Sequence, residues 1–224
     1  VEIAMKILSR LLLAAALTCL FAGFLSAQAI VQQQWGFRIP TPGHVLRPSC
    51  GVGVDAVGNI YLASRTEHMT TSIYTVCKFS PAGNLLWHSS STVGIDPYDM
   101  AVDSAGNVYV TGQGWGTYGD YATVKFNTLG QLQWTATYNG PGNDMDYAYA
   151  LAVDRQGNVY VTGNSVSTSG DASTTIKYSP TGDQLWVAQY TGVTGSLNLA
   201  SDITVDNDGN VYITGETFPP PHLV

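Results

Sequence analysis

The stretch V-D-R-Q-G-N-V-Y-V-T-G, residues 153–163, decides the fold of this chain, because it recurs. It reads V-D-A-V-G-N-I-Y-L-A-S from Val54, V-D-S-A-G-N-V-Y-V-T-G from Val102 and V-D-N-D-G-N-V-Y-I-T-G from Val205. Successive copies start 48, 51 and 52 residues apart. A fixed period of this size is the mark of a repeat architecture. Within each copy, Asp opens a turn and Gly closes it three residues later, the preferences of a type I turn. The Asp carboxylate can accept from its own turn backbone, and Gly can take the left-handed conformation of a bulge. Alternating or continuous apolar residues flank the turn, so each copy is a β-hairpin.

A second phrase interleaves with the first. It reads K-F-S-P-A-G-N-L-L-W from Lys78, K-F-N-T-L-G-Q-L-Q-W from Lys125 and K-Y-S-P-T-G-D-Q-L-W from Lys177. Trp35 lies 52 residues before Trp87 and reads as the tail of the same phrase. Each unit therefore holds four strands, here a to d. In the third unit they are expected at 148–154, 158–163, 174–178 and 184–190. About fifty residues, four antiparallel strands and one Trp per unit fit a β-propeller blade. The fold class is all-β: three complete four-stranded antiparallel blades plus partial terminal blades, forming an incomplete or open ring. The Trp residues read as inter-blade core, and Lys78, Lys125 and Lys177 as solvent-facing residues of strand c.

The ends differ from the repeats. Lys6 and Arg10 precede an apolar run from Leu11 to Leu25, and Ala27-Gln28-Ala29 offers small residues for cleavage. Residues 1–29 read as a secretory signal peptide with Met5 as the natural start. Residues 30–217 form the repeat domain, and 218–224 a Pro-rich end. Phe218-Pro219-Pro220-Pro221 is unfit for a strand c, since Pro donates no ladder bond. The expected localisation is secreted or cell-surface, with no stable membrane insertion after cleavage.

Nine Lys and Arg less Lys6 and Arg10, against sixteen Asp and Glu less Glu2, leave the mature chain at a net −8. That acidity argues against nucleic acid as a partner. Cys50 falls on strand a and Cys77 on strand c, with strand b between them. Two strand spacings, roughly 10 Å, are too far for a disulfide. Both are read as free thiols.

The phrases A-V-D-S-A-G-N-V-Y-V-T-G from Ala101, D-Y-A-T-V-K-F-N from Asp120 and Y-N-G-P-G-N-D-M-D-Y-A-Y-A-L-A-V-D from Tyr138 resemble the SBBP family, the beta-propeller repeat of secreted bacterial proteins. The resemblance covers nearly all of the mature chain and implies a propeller fold. It implies a surface or scaffold role at most, because the family is defined by its blade and not by a catalytic site.

Chain connectivity places the short a–b and c–d turns on one face and the variable b–c and d–a loops on the other. The variable face is the better ligand candidate. There the sequence offers Trp115, Tyr118 and Asp120 in one loop, and Asp96, Asp99, Asp144 and Asp146 in others. Aromatics beside carboxylates suit a glycan or a protein ligand; packing and turn capping are the competing reading. Asp206-Asn207-Asp208-Gly209 has the look of a calcium loop, but a calcium site needs about six oxygens and the other copies lack its second carboxylate. It reads as a turn. No nucleophile elbow, H-E-x-x-H, P-loop or dinucleotide fingerprint is present, and His44, His68, His88 and His222 lack metal-ligand spacing. No catalytic, metal or cofactor residue is assigned, and no cofactor is expected. The expected function is a non-enzymatic extracellular binding, adhesion or scaffold module. The alternatives are a propeller enzyme acting on carbohydrate, a lyase or glycosidase, and a structural piece of a larger propeller.

Overall fold

The computed structural model describes residues 44–68, 71–116, 118–167, 170–192 and 196–218. The leader at 1–29, Trp35 and the prolines at 219–221 lie outside the described residues. Fourteen strands follow one another, and no helix occurs among the described residues. They are β1 (His44–Val54), β2 (Ile60–His68), β3 (Thr71–Phe79), β4 (Leu85–Ser91), β5 (Gly94–Val102), β6 (Val108–Gly114), β7 (Tyr121–Phe126) and β8 (Leu132–Tyr138). The rest are β9 (Asp146–Val153), β10 (Val159–Ser167), β11 (Gly170–Tyr178), β12 (Gln184–Tyr190), β13 (Leu197–Val205) and β14 (Val211–Phe218). They form three four-stranded antiparallel meanders, β1–β4, β5–β8 and β9–β12, and a two-stranded sheet, β13–β14. These are the three complete blades and one partial blade that the repeat predicts, in an array that is not closed. The first strands β1, β5, β9 and β13 stand side by side, so they form the inner edge.

One turn design serves the four a–b and three c–d turns. The first residue of each turn pairs with the fifth, and Gly58, Gly83, Gly106, Gly130, Gly157, Gly182 and Gly209 all adopt positive φ, from 78° to 92°. An L side chain is strained there, which explains the fixed Gly. In the a–b turns the Asp carboxylate does more than cap. Asp154 accepts from the Gln156 and Asn158 backbone N–H groups at 2.9 Å, from Asn158 Nδ2 at 2.7 Å and from the Tyr160 hydroxyl at 3.1 Å. Asp55, Asp103 and Asp206 make the same set. The D-x-x-G-N-x-Y spacing is therefore one hydrogen-bonded clamp joining turn to strand.

Across each blade the clamp extends into a ladder. Tyr61 pairs with Lys78 and Lys78 with Trp87; Tyr109, Lys125 and Trp134, and Tyr160, Lys177 and Trp186, share that register. The lysines are not solvent-facing, contrary to the sequence expectation. Their ammonium groups lie 4.8, 5.2 and 4.9 Å above the Tyr61, Tyr109 and Tyr160 rings, and Lys78 is 3.6 Å from Asp55. Strand alternation aims them at an aromatic face, and the aliphatic stem is buried along the sheet. The Trp residues close the junctions as expected. Trp87 Nε1 donates to the Thr128 carbonyl of the next blade at 3.1 Å, and Trp134 Nε1 to Pro180 at 3.0 Å.

Both faces of the middle sheets are buried. Tyr61, Ala63, Tyr74 and Val76 of the first blade pack on Val108, Val110, Ala122, Val124 and Phe126 of the second. Tyr109 and Tyr121 on its other face meet Val159, Val161, Ile176 and Tyr178 of the third. Cys50 is half-buried, Cys77 is buried, and both are free thiols, as expected. Burial pushes each thiol up to about 12, so neither is a thiolate at neutral pH.

The first strand of every blade carries a bulge at one register, unforeseen from the sequence. In β5, β9 and β13 the extra residues are Tyr98, Tyr149 and Ser201, while β1 is irregular around Cys50. Facing them on the second strands are Gly112, Gly163 and Gly215, where a Cβ would strike the carbonyl oxygens of Asp96, Tyr147 and Leu199. The recurring T-G is thus a steric requirement of the bulge.

Gly163→Ala is expected to destabilise the chain by about 3 kcal/mol in urea unfolding, because the clash is with backbone. Asp154→Ala is expected to cost about 2 kcal/mol through the lost clamp. Burial raises the Asp154 carboxyl, but the bonds from Asn158, Tyr160 and Gln156 outweigh it and hold it below its ordinary value. A depressed carboxyl stabilises above the ordinary carboxylate range and loses that contribution as pH falls through its native value. The difference between wild type and Asp154→Ala should therefore shrink in acid, below pH about 4.

Candidate functional site

The bulge positions five residues before each turn Asp bring aromatic side chains to the inner edge. Tyr98 on β5 and Tyr149 on β9 have ring centroids 5.6 Å apart. Tyr147, two residues earlier on the same face of β9, stacks on Tyr149 at 6.0 Å with an interplanar angle of 17°. It lies 6.4 Å from Tyr98. On β13 the same two registers hold Leu199 and Ser201. Tyr98, Tyr149, Leu199, Ala200, Ser201 and, from β14, Glu216 line a groove of about 450 Å³. It runs across the inner strands of three successive blades.

Charges frame the groove. Arg65 Nη1 reaches Asp96 Oδ1 at 2.5 Å and Arg65 Nη2 reaches Glu67 Oε1 at 2.6 Å, tying β2 to β5. Asp99 Oδ2 accepts from the Leu151 N–H at 2.8 Å, and its Oδ1 from Met100 N–H at 2.8 Å, so it staples β5 to β9. Burial raises the Asp99 carboxyl, the two N–H bonds oppose this, and the Asp202 charge adds to it. Burial also lifts the Tyr98 hydroxyl to about 12, so it is a neutral donor at physiological pH.

The loop candidates occupy a different region. Trp115 and Tyr118 are exposed at the tip of the β6–β7 loop. This loop spans more residues than the β2–β3 and β10–β11 connections, and Gly114 N–H closes its base on the Asp120 carbonyl at 2.7 Å. That loop touches the β8–β9 connection through the Asp146 N–H to Gly119 carbonyl bond of 2.9 Å. Asp146 is buried, and its Oδ2 accepts from the Gly140 N–H at 2.6 Å. Asp144 caps the Met145 N–H at 2.8 Å on the surface. Asp120 is half-buried; burial first and then the Asp146 charge raise its carboxyl. The structure therefore associates Asp120, Asp144 and Asp146 electrostatically, while Asp96 and Asp99 sit in separate inter-strand contacts. Among the described residues no three His, Cys, Asp or Glu side chains converge as metal ligands.

Tyr147, Leu199 and Glu216 were not legible as site residues. The signal that finds the groove is the fixed offset of Tyr98, Tyr149 and Ser201 before the turn Asp, read with the bulge that follows from T-G.

These blades match a known repeat over 90–119, 133–170 and 185–217. The chain carries beta-propeller repeats of the SBBP family. Each SBBP match runs from the fourth strand of one blade through the first and second strands of the next, so it includes the bulge and the T-G. Among solved structures, a protein of unknown function from Bacteroides caccae is 14% identical, with 82% of this chain and 57% of that chain covered and a TM-score of 0.49. The periplasmic gluconolactonase PpgL of Pseudomonas aeruginosa is 10% identical, with 73% and 64% covered and a TM-score of 0.40. The chain thus spans less than two thirds of either structure. No curated protein matches the sequence.

Burial raises the Asp146 carboxyl, and the Gly140 N–H opposes it only in part. A raised carboxyl binds its proton more tightly in the native state, so its contribution to stability increases as pH falls from neutral toward about 4. In urea unfolding across that range, Asp146→Asn should lose this increase, the opposite trend to the turn aspartates.

Proposed function

We propose that this chain is a non-catalytic, exported binding module whose inner-edge tyrosine groove takes a saccharide. The observation that carries this reading is the Tyr98, Tyr147 and Tyr149 cluster, partly exposed at two registers of two neighbouring inner strands. Amphipathic aromatic faces pack on the apolar face of a sugar ring, and a few polar groups fix orientation. Ser201 and Glu216 supply those groups in the same groove. The leader-like residues 1–29 support export. The acidic balance disfavours nucleic acid.

The test is a glycan array followed by calorimetry on the full chain. Tyr149→Ala should weaken saccharide binding at least tenfold while leaving the circular dichroism spectrum unchanged. Absence of saccharide binding, or binding indifferent to both Tyr149→Ala and Tyr147→Ala, would overturn the reading. Cleavage of a bound glycan would replace it with the carbohydrate-enzyme alternative.

A further inference from the structure

A methionine touches the tyrosine cluster from outside. Met145 immediately precedes β9 and is 47% exposed. The backbone around it is tied down. Its own N–H is held by Asp144 Oδ1 at 2.8 Å, and the N–H of the next residue, buried Asp146, by the Gly119 carbonyl at 2.9 Å. The Met145 side chain leaves this fixed backbone with its sulfur engaged: the Tyr147 hydroxyl donates to Met145 Sδ at 3.2 Å. Tyr147 in turn stacks on Tyr149 with ring centroids 6.0 Å apart and lies 6.4 Å from Tyr98. A half-exposed sulfur is therefore one hydrogen bond away from the ring stack beside the groove.

The chemistry of that sulfur sets what the contact can do. A thioether is a weak acceptor. Two-electron oxidation turns it into a sulfoxide, a polar group with a strong oxygen acceptor. A hydroperoxide carries out the step: its O–O bond breaks, one oxygen atom passes to the sulfur, the thioether gives up two electrons, and the remainder leaves as water or an alcohol. Oxygen adds at the sulfur lone pairs, the same electrons that accept the Tyr147 proton. The hydroxyl then has to bond the new oxygen, at about 2.7–2.8 Å, in place of the sulfur, and its ring shifts on Tyr149. Met100 is the internal contrast. It is 8% exposed, packed in the core between the first two blades, with Gly51 pressed against its side chain. An oxidant in solution reaches Met145 first.

We propose that Met145 is an oxidation site whose sulfoxide repositions Tyr147 within the tyrosine cluster. The modifying reagent is a hydroperoxide, and a methionine sulfoxide reductase returns the thioether, so the change is reversible. The device is local: a sulfur outside the groove, the hydroxyl bonded to it, and the stack of Tyr147 on Tyr149. Its consequence for a ligand, weaker binding in the oxidised form, rests on the saccharide reading above. The oxidation and the movement of Tyr147 do not.

The test treats the full chain with hydrogen peroxide and follows it by peptide mass spectrometry and by NMR of the tyrosine ring signals, with Tyr147 assigned from a Tyr147→Phe chain. Met145 should gain one oxygen at least tenfold faster than Met100. The Tyr147 signals should shift in the oxidised chain and return after treatment with the reductase. In a Met145→Leu chain they should not respond to peroxide. Unmoved signals from buried Tyr109 and Tyr160 show in every sample that the blades remain folded. On a glycan array the oxidised chain should bind at least fivefold more weakly than the untreated chain, and peroxide should leave Met145→Leu binding unchanged. Equal oxidation of Met145 and Met100, unshifted Tyr147 signals in the sulfoxide form, or an equal shift in Met145→Leu overturns the proposal. An untreated chain that binds no glycan overturns the saccharide reading instead, and the Tyr147 signals alone then decide the oxidation site.

Discussion

The hydrogen bond from a second-strand tyrosine to the turn aspartate is the interaction on which the blade depends. It fixes the tyrosine ring flat beneath the third strand, and this placement gives the lysine a face to lie on. A cation over a ring contributes about 0.5–2 kcal/mol, more as water is excluded. The fourth-strand Trp then covers the same ring, with centroids 6.0, 6.4 and 6.0 Å apart in the three complete blades. From there it reaches the next blade through its indole N–H. Four strands and one junction are thus held by a single line of side chains that begins at a turn carboxylate.

This line accounts for what was legible in the sequence. Asp, Gly, Lys and Trp keep fixed offsets, so the hairpins, their turns and the unit length could all be read directly. The roles of Asn158 and Tyr160 could not, since a clamp of several partners on one carboxylate leaves no periodic trace beyond its own spacing. The lysines were misread for a related reason. Alternation says that Lys78 points away from Cys77, but not that a neighbouring ring occupies that side. The T-G glycines carried information of a different kind. They report a bulge on the partner strand, invisible until the two strands are set in register.

The inner-edge groove shows the same limit. Its tyrosines come from strands separated by about one repeat length in sequence, and the bulge that aligns them belongs to no local pattern. The loop residues Trp115, Tyr118 and Asp120 attract notice in sequence because they break the repeat. The groove residues Tyr98, Tyr149 and Ser201 hide because they obey it. Function in a repeat protein can lie in those positions where the scaffold is constant and only the side chain varies.

The indole bond also gives the array a direction. At both junctions described, the earlier blade donates from its fourth strand and the later blade accepts at its turn. An interface of unlike halves is heterologous: it can close into a ring or continue without limit, but it cannot pair off into a two-fold dimer. Each blade then answers energetically only to its immediate neighbours, as in a one-dimensional chain. The vector of donors and acceptors thus gives the two sides of a blade different chemistry, a donor on one and an acceptor on the other.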